Sequence, residues 1–118
     1  MWGADWRIYA TAKGTFFYYK PDSIIRSQKN IVKVWTKEEY SEEQIIEERR
    51  KIPDISFLLQ YQEIHCVERK TRPLSFIAYS EDGVVLNTSK IPKGREEEYW
   101  AFVVPDSVGD NLLKLLCK

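Results

Sequence analysis

The sequence predicts an α+β fold, a curved antiparallel sheet of about six strands with a C-terminal helix packed on its concave face and a second, peripheral helix. Three observations lead there. Short runs of aromatic and β-branched residues follow one another with tight-turn signals between them, the pattern of antiparallel pairing and not of helical crossovers. The final stretch, Pro105 to Lys118, reads as a helix whose apolar arc is too wide to be left in water. Only two cysteines are present, far apart, and one of them ends that helix.

A chain of 118 residues is expected to form one domain, 1–118, long enough to bury a core without metals. Lys plus Arg and Asp plus Glu balance at 18 each, so no global field recruits nucleic acid or an anionic membrane. No run approaches the roughly 20 apolar residues of a membrane span. The opening, MWGADWRIYA, has neither a basic n-region nor a continuous apolar h-region. The expectation is therefore a cytosolic protein or an exported one whose signal has been removed.

The elements follow in order. Asp5 to Ala12 and Thr15 to Lys20 flank Lys13-Gly14, a hairpin in outline, with Trp6, Ile8 and Ala10 assigned to one face of the first run. In the second run Phe16 and Tyr18 oppose Phe17 and Tyr19, so either the strand is sandwiched or one aromatic row is free for a partner. Pro21 to Asn30 reads as a polar connection. Ile31 to Tyr40 alternates cleanly, Val32, Val34 and Thr36 against Lys33, Trp35 and Lys37. Trp35 between two lysines is either an aromatic on a half-wet face under lysine stems or a binding hot spot.

Ser41 to Ile52 is a helix capped by Ser41 with Gln44 closing the box, acidic in its first turn and basic in its last, with a Glu47–Lys51 pair and Pro53 as its stop. Its few apolar residues place it at the periphery. Phe57 to Thr71 is the longest strand expected, with Ile64 and Cys66 on one side. Leu74 to Ser80, Val84 to Thr88 and Tyr99 to Val104 complete the sheet. In the terminal helix Ser107 caps with Asp110 at the box position. Leu112, Leu113, Leu115, Leu116, Val108 and Cys117 fill the apolar arc, and Asp110, Asn111, Lys114 and Lys118 are left to solvent.

Cys66 in a strand and Cys117 in a helix that needs an anchor suit one structural disulfide and an oxidising compartment, the periplasm or cell surface. The alternative is a pair of buried free thiols in a cytosolic protein.

No residue pattern points to catalysis. His65 is the only histidine, and neighbouring Cys66 projects to the opposite side of a strand. His65, Cys66 and Cys117 have no zinc-ligand spacing. The acidic pairs, Glu47-Glu48 among them, belong to wet surfaces where carboxylates keep their ordinary acidity. No cofactor or metal is expected. Arg69, Lys70 and Arg72 form a basic cluster that could serve an acidic polypeptide or glycan, or could be an ordinary charged strand end. Neutral overall charge disfavours nucleic acid.

The order of features resembles the surface-adhesin protein E family of small exported bacterial proteins. The resemblance rests on Asp5-Trp6 with an aromatic strand after Gly14, the VKVWTK segment from Val32 to Lys37, and the single strand cysteine followed by Arg69. It continues in the W-x-x-V-V-P-D-S run from Trp100 to Ser107 and the LLKLLC ending. It implies a curved antiparallel sheet whose concave face holds a disulfide-tethered helix. It also implies a non-enzymatic, adhesin-like envelope module with a protein partner, of the kind that binds extracellular-matrix and serum proteins and tends to homodimerise. Trp35, Tyr18, Tyr19, Arg69, Lys70 and Arg72 are the candidate contact residues. The alternative is a periplasmic small-ligand-binding or structural protein.

Overall fold

The computed structural model describes residues 5–118. The strands are β1 (Arg7–Ala12), β2 (Thr15–Tyr19), β3 (Ile25–Gln28), β4 (Ile31–Tyr40), β5 (Phe57–His65), β6 (Lys70–Tyr79), β7 (Val85–Lys90) and β8 (Ala101–Phe102); the helices are α1 (Glu42–Lys51) and α2 (Val108–Leu116). All strand pairs are antiparallel, in the order β1-β2-β4-β5-β6-β7. Two short strands complete the sheet. β2 pairs with the Thr36–Tyr40 half of β4 and β3 reaches the Ile31–Lys33 half. In the same way β7 and β8 divide the outer side of β6 between them.

The expected α+β architecture is present, and β4 and α1 have the bounds that their sequence patterns predict. Val32, Val34 and Thr36 are buried, as alternation requires of the core side of a strand. Other expectations are corrected. The polar connection 21–30 contains β3, whose composition gives no strand signal but whose pairing completes one side of β4. The long strand ends at His65. Cys66 to Arg69 form a turn, with Arg69 at φ 55°, and the chain returns as β6. Pro73 therefore lies within β6, beside a register shift between Tyr61 and Gln62 that relieves its missing N–H. The last strand is only Ala101–Phe102, after a 3-10 turn at Glu96–Tyr99. A bulge in β1 puts Ile8 opposite Tyr18 and Ala10 opposite Phe17, so these two do not share a face, and Tyr9 turns inward.

The β1–β2 turn has φ 49° at Lys13 and 78° at Gly14, the double left-handed geometry of a tight hairpin. Gly14 is also a contact point: a Cβ there would stand 2.8 Å from Ser41 Oγ, and its carbonyl accepts the Ser41 N–H at 2.8 Å. The capping box of α1 is consequently half formed. Ser41 Oγ accepts the Gln44 N–H at 3.2 Å, while the Gln44 side chain donates to Glu48 at 2.8 Å. The surface pairs on α1 are Glu47–Arg50 and Glu48–Lys51, in place of Glu47–Lys51. No residue of α1 is buried, in keeping with a peripheral helix.

α2 lies against the Val32, Val34 and Ile64 side of the sheet. Leu112, Leu113 and Leu116 join those residues and Val103 in the core, with Tyr9, Tyr19 and Ile24 packed around them. Each leucine contributes about 1.5–3 kcal/mol as an upper range. The Cys66–Cys117 disulfide is formed and closes a 51-residue separation, worth about 4 kcal/mol of chain entropy in the simple model. Arg26 of β3 donates to the Leu116 carbonyl at 2.8 Å, placing a cation on the helix C-terminus.

The assignment of Asp110 to solvent is overturned. It is 1% exposed and is the carboxylate around which the start of α2 is built. Its Oδ2 accepts the Asp106 N–H at 2.8 Å and meets Lys114 at 3.0 Å; its Oδ1 takes Arg69 Nη2 at 2.5 Å. The same turn that supplies Cys66 to one end of the helix thus supplies Arg69 to the other. The Asp106 N–H, then Lys114 and Arg69, outweigh burial and lower the Asp110 pKa from 3.8 to about 2.

A carboxyl group whose pKa falls on folding stabilises the fold above its unfolded value and loses that contribution as pH drops through the folded one. Thermal melts of wild type and Asp110→Asn from pH 7 to pH 2 should therefore differ most at neutral pH, with the gap narrowing as pH falls from about 4 towards 2. Parallel curves would show that Asp110 does not titrate as a structural anchor.

Candidate functional site

Directly opposed residues on neighbouring antiparallel strands share a face. Val32 faces Ile64 and Tyr19 faces Thr36, so these belong to the helix side. The odd residues of β4 lie on the other side, together with Tyr18, Phe57, Leu59, Tyr61, Ile77 and Tyr79. α1 approaches the helix side too, where Glu48 lies near Glu38 and Tyr40. Burial, then the Glu48 charge, raises Glu38 against a hydrogen bond from Tyr40. Glu48 therefore does not belong to the wet face expected of it; its side chain is 20% exposed.

The side opposite the helices carries an ordered aromatic array. Trp35 and Tyr61 are cross-strand partners with ring centroids 4.9 Å apart, and Phe57 stacks on Tyr79 at 4.9 Å and 15°. Between the two pairs stands Lys37. Its ammonium lies 5.1 Å from the Trp6 centroid, 5.2 Å from Tyr18 and 5.9 Å from Phe57, within the cation–π range, and its ion pair to Glu39 is 3.2 Å. Leu59, opposite Lys37 and Ile77, is wholly buried in this layer. The aromatic rings form a second packed surface, with no helix over it among the described residues, and they are themselves half-buried.

At the far end of the same side Glu63, 4% exposed, accepts from Arg72 Nε at 2.6 Å and faces Lys33 at 4.0 Å. The Arg72 guanidinium stacks on Trp100 at 4.2 Å, and His65 meets the edge of that indole. His65 Nδ1 accepts the Glu68 N–H at 3.2 Å, which commits one ring nitrogen to the turn. Cys66 holds no thiolate, being half of the disulfide. Among the described residues no group of three His, Cys, Asp or Glu could hold a metal ion, and no helix is long and apolar enough to cross a membrane.

The six candidate contact residues thus fall into different settings. Tyr18 and Trp35 share the aromatic side. Tyr19 is on the opposite side, packed against the α2 core with Tyr9. Arg69 is engaged by Asp110, and Arg72 by Glu63 and Trp100. Lys70 lies at the rim, 2.8 Å from Glu68 and over the exposed Phe102 ring. The sequence reading set Lys37 beside Trp35 but did not count it, Phe57, Tyr61 or Tyr79 among the contact residues, because only the β4–β5–β6 register brings them together with Tyr18 and Trp35.

Comparison with known proteins gives one family. The family model described as "Surface-adhesin protein E" matches residues 6–118. No curated protein and no solved structure matches the chain.

The buried Glu63–Arg72 pair gives a direct check of this end of the face. Arg72→Ala leaves a carboxylate buried without its partner and should cost about 3–5 kcal/mol, whereas Glu63→Met with Arg72→Met should recover most of that loss. Urea denaturation measures both. Equal stability of the single and double variants would contradict the pairing.

Proposed function

Since the chain belongs to the surface-adhesin protein E family, we propose that it is a non-enzymatic, surface-exposed or secreted adhesion module that engages an extracellular protein through the sheet side carrying Tyr18, Trp35, Phe57 and Tyr61. The observation that carries this reading is the aromatic array itself. Tyr and Trp dominate the residues on which protein interfaces depend, because each brings large area at low conformational cost. Here the rings are held in place by cross-strand stacking and by Lys37, so little side-chain entropy remains to be lost on binding.

The disulfide supports an extracytoplasmic setting, since such bonds persist in oxidising compartments. Lys70 at the rim favours acidic segments of a partner. Tyr19 and Arg69 serve the face indirectly, through the core and the turn behind it, and Arg72 holds the far end of the same side through Glu63 and Trp100.

The test is binding of the folded, oxidised protein to immobilised extracellular-matrix proteins. Wild type should bind saturably. Trp35→Ala with Tyr61→Ala, shown to be folded by circular dichroism, should weaken binding at least about tenfold, the scale of losing a central aromatic pair. Absence of saturable binding by wild type, or undiminished binding by the variant, would refute the proposal.

A further inference from the structure

A cleft of about 510 Å³ lies at the edge of the sheet, between the edge strand β1 and the outer flank of α2. Its size falls within the roughly 300–1,000 Å³ of small-molecule sites. Asn111, Lys114, Leu115 and Lys118 line one wall, positions three and four apart that form a single stripe of the helix and the residues just after it. The other wall is Arg7, Ile8 and Tyr9 of β1 with Tyr19 of β2 behind them.

The chemistry of those walls is one-sided. Arg7, Lys114 and Lys118 bring three cations, and among the described lining residues there is no carboxylate side chain. Lys114 is partly neutralised by Asp110, 3.0 Å away. The apolar part comes from Leu115 and from Ile8, which is 54% exposed, with the Tyr9 and Tyr19 rings as a floor. The bulge in β1 turns Tyr9 inward while Ile8 stays at the surface, and so shapes the wall. The Asn111 amide already reaches the Tyr9 carbonyl at 3.5 Å, which holds helix and edge strand in register.

We propose that this cleft binds a small amphipathic monocarboxylate, an acyl or aryl body carrying one anionic head. The head pairs with Arg7, whose planar fork matches a carboxylate, and with Lys118. The body lies along Ile8, Leu115 and the tyrosine rings. The cleft is open to solvent, so the complex is weak, with a Kd on the order of 100 µM for a ligand of this size. The proposal does not depend on the adhesion reading, because it uses none of the residues of the aromatic array.

The test is titration of the isotope-labelled, oxidised protein with sodium decanoate below its micelle concentration, followed by amide chemical shifts. Decyltrimethylammonium is the matched cation, and phosphatidylglycerol vesicles present an anionic head from a lipid surface. Decanoate should move the Ile8, Tyr9, Asn111 and Leu115 amides saturably, the cation should not, and Arg7→Glu with Lys118→Glu should weaken binding at least tenfold. Both substituted residues are exposed, so folding is retained, and unchanged shifts elsewhere verify it. Arg7→Lys keeps the charge but loses the planar fork, and should bind more weakly than wild type yet more tightly than the double glutamate variant. Equal response to decanoate and to the cation, shifts scattered away from the cleft, no response, or binding to vesicles alone would each overturn the assignment.

Discussion

The structure depends on a four-residue turn. Cys66 to Arg69 joins two central strands, and it grips α2 at both ends, by the disulfide to Cys117 and by the Arg69 pair with buried Asp110. A nine-residue helix is too short to persist alone. Its apolar face finds Val32, Val34 and Ile64, but apolar contact is non-directional and does not set axial position. The covalent bond and the charge-assisted hydrogen bonds do. Asp106 and Arg69 both have left-handed backbone, at φ 62° and 55°, a conformation that costs energy outside glycine. Both direct a donor to Asp110, which offsets that cost. Val103 adds its N–H to the Arg69 carbonyl at 2.9 Å, so the segment entering the helix is tied to the same turn.

Fixing α2 to one side of the sheet decides what the other side can be. The central strands have large residues on both sides: Trp35 backs onto Val34, and Tyr61 onto Gln62. An antiparallel sheet can leave one side to water, but large apolar residues on both sides favour cover on both. Here the second cover is made of the strands' own aromatic rings, with Lys37 filling the space between them. The result is a surface with no helix over it among the described residues, which is the physical basis of the adhesion proposal. On the helix side the central polar residues are satisfied within the sheet, Gln62 donating to Thr36 Oγ1 at 2.8 Å, so the helix need not reach them.

Much of this was legible from residue order, and the limits have physical causes. β4 and α1 were readable because a clean period of two, a serine cap and a charge gradient all agree. The disulfide followed from having two cysteines and one helix in need of an anchor. β3 was not readable from its composition, which lacks a run of β-branched and aromatic residues, although it pairs with the start of β4 across a two-residue turn with Asn30 at φ 64°. Asp110 was misplaced because periodicity treats every carboxylate as polar, and burial is made tolerable by the Asp106 N–H, Lys114 and the distant Arg69 acting together. The aromatic array shows the same limit: parity assigns each ring a side, but register alone decides which rings meet.

The central claim is that the Cys66–Arg69 turn holds α2 as firmly as the sheet itself. Amide hydrogen exchange of the oxidised protein, compared with the same protein under reductant, tests it most directly. The account predicts that in the oxidised protein the amides of Leu112 to Leu116 exchange as slowly as those of β4 and β5. It predicts that after reduction α2 exchanges faster while the central strands remain protected. If the helix amides exchange rapidly in the oxidised protein, or if reduction leaves them unchanged, the turn is not what holds the helix.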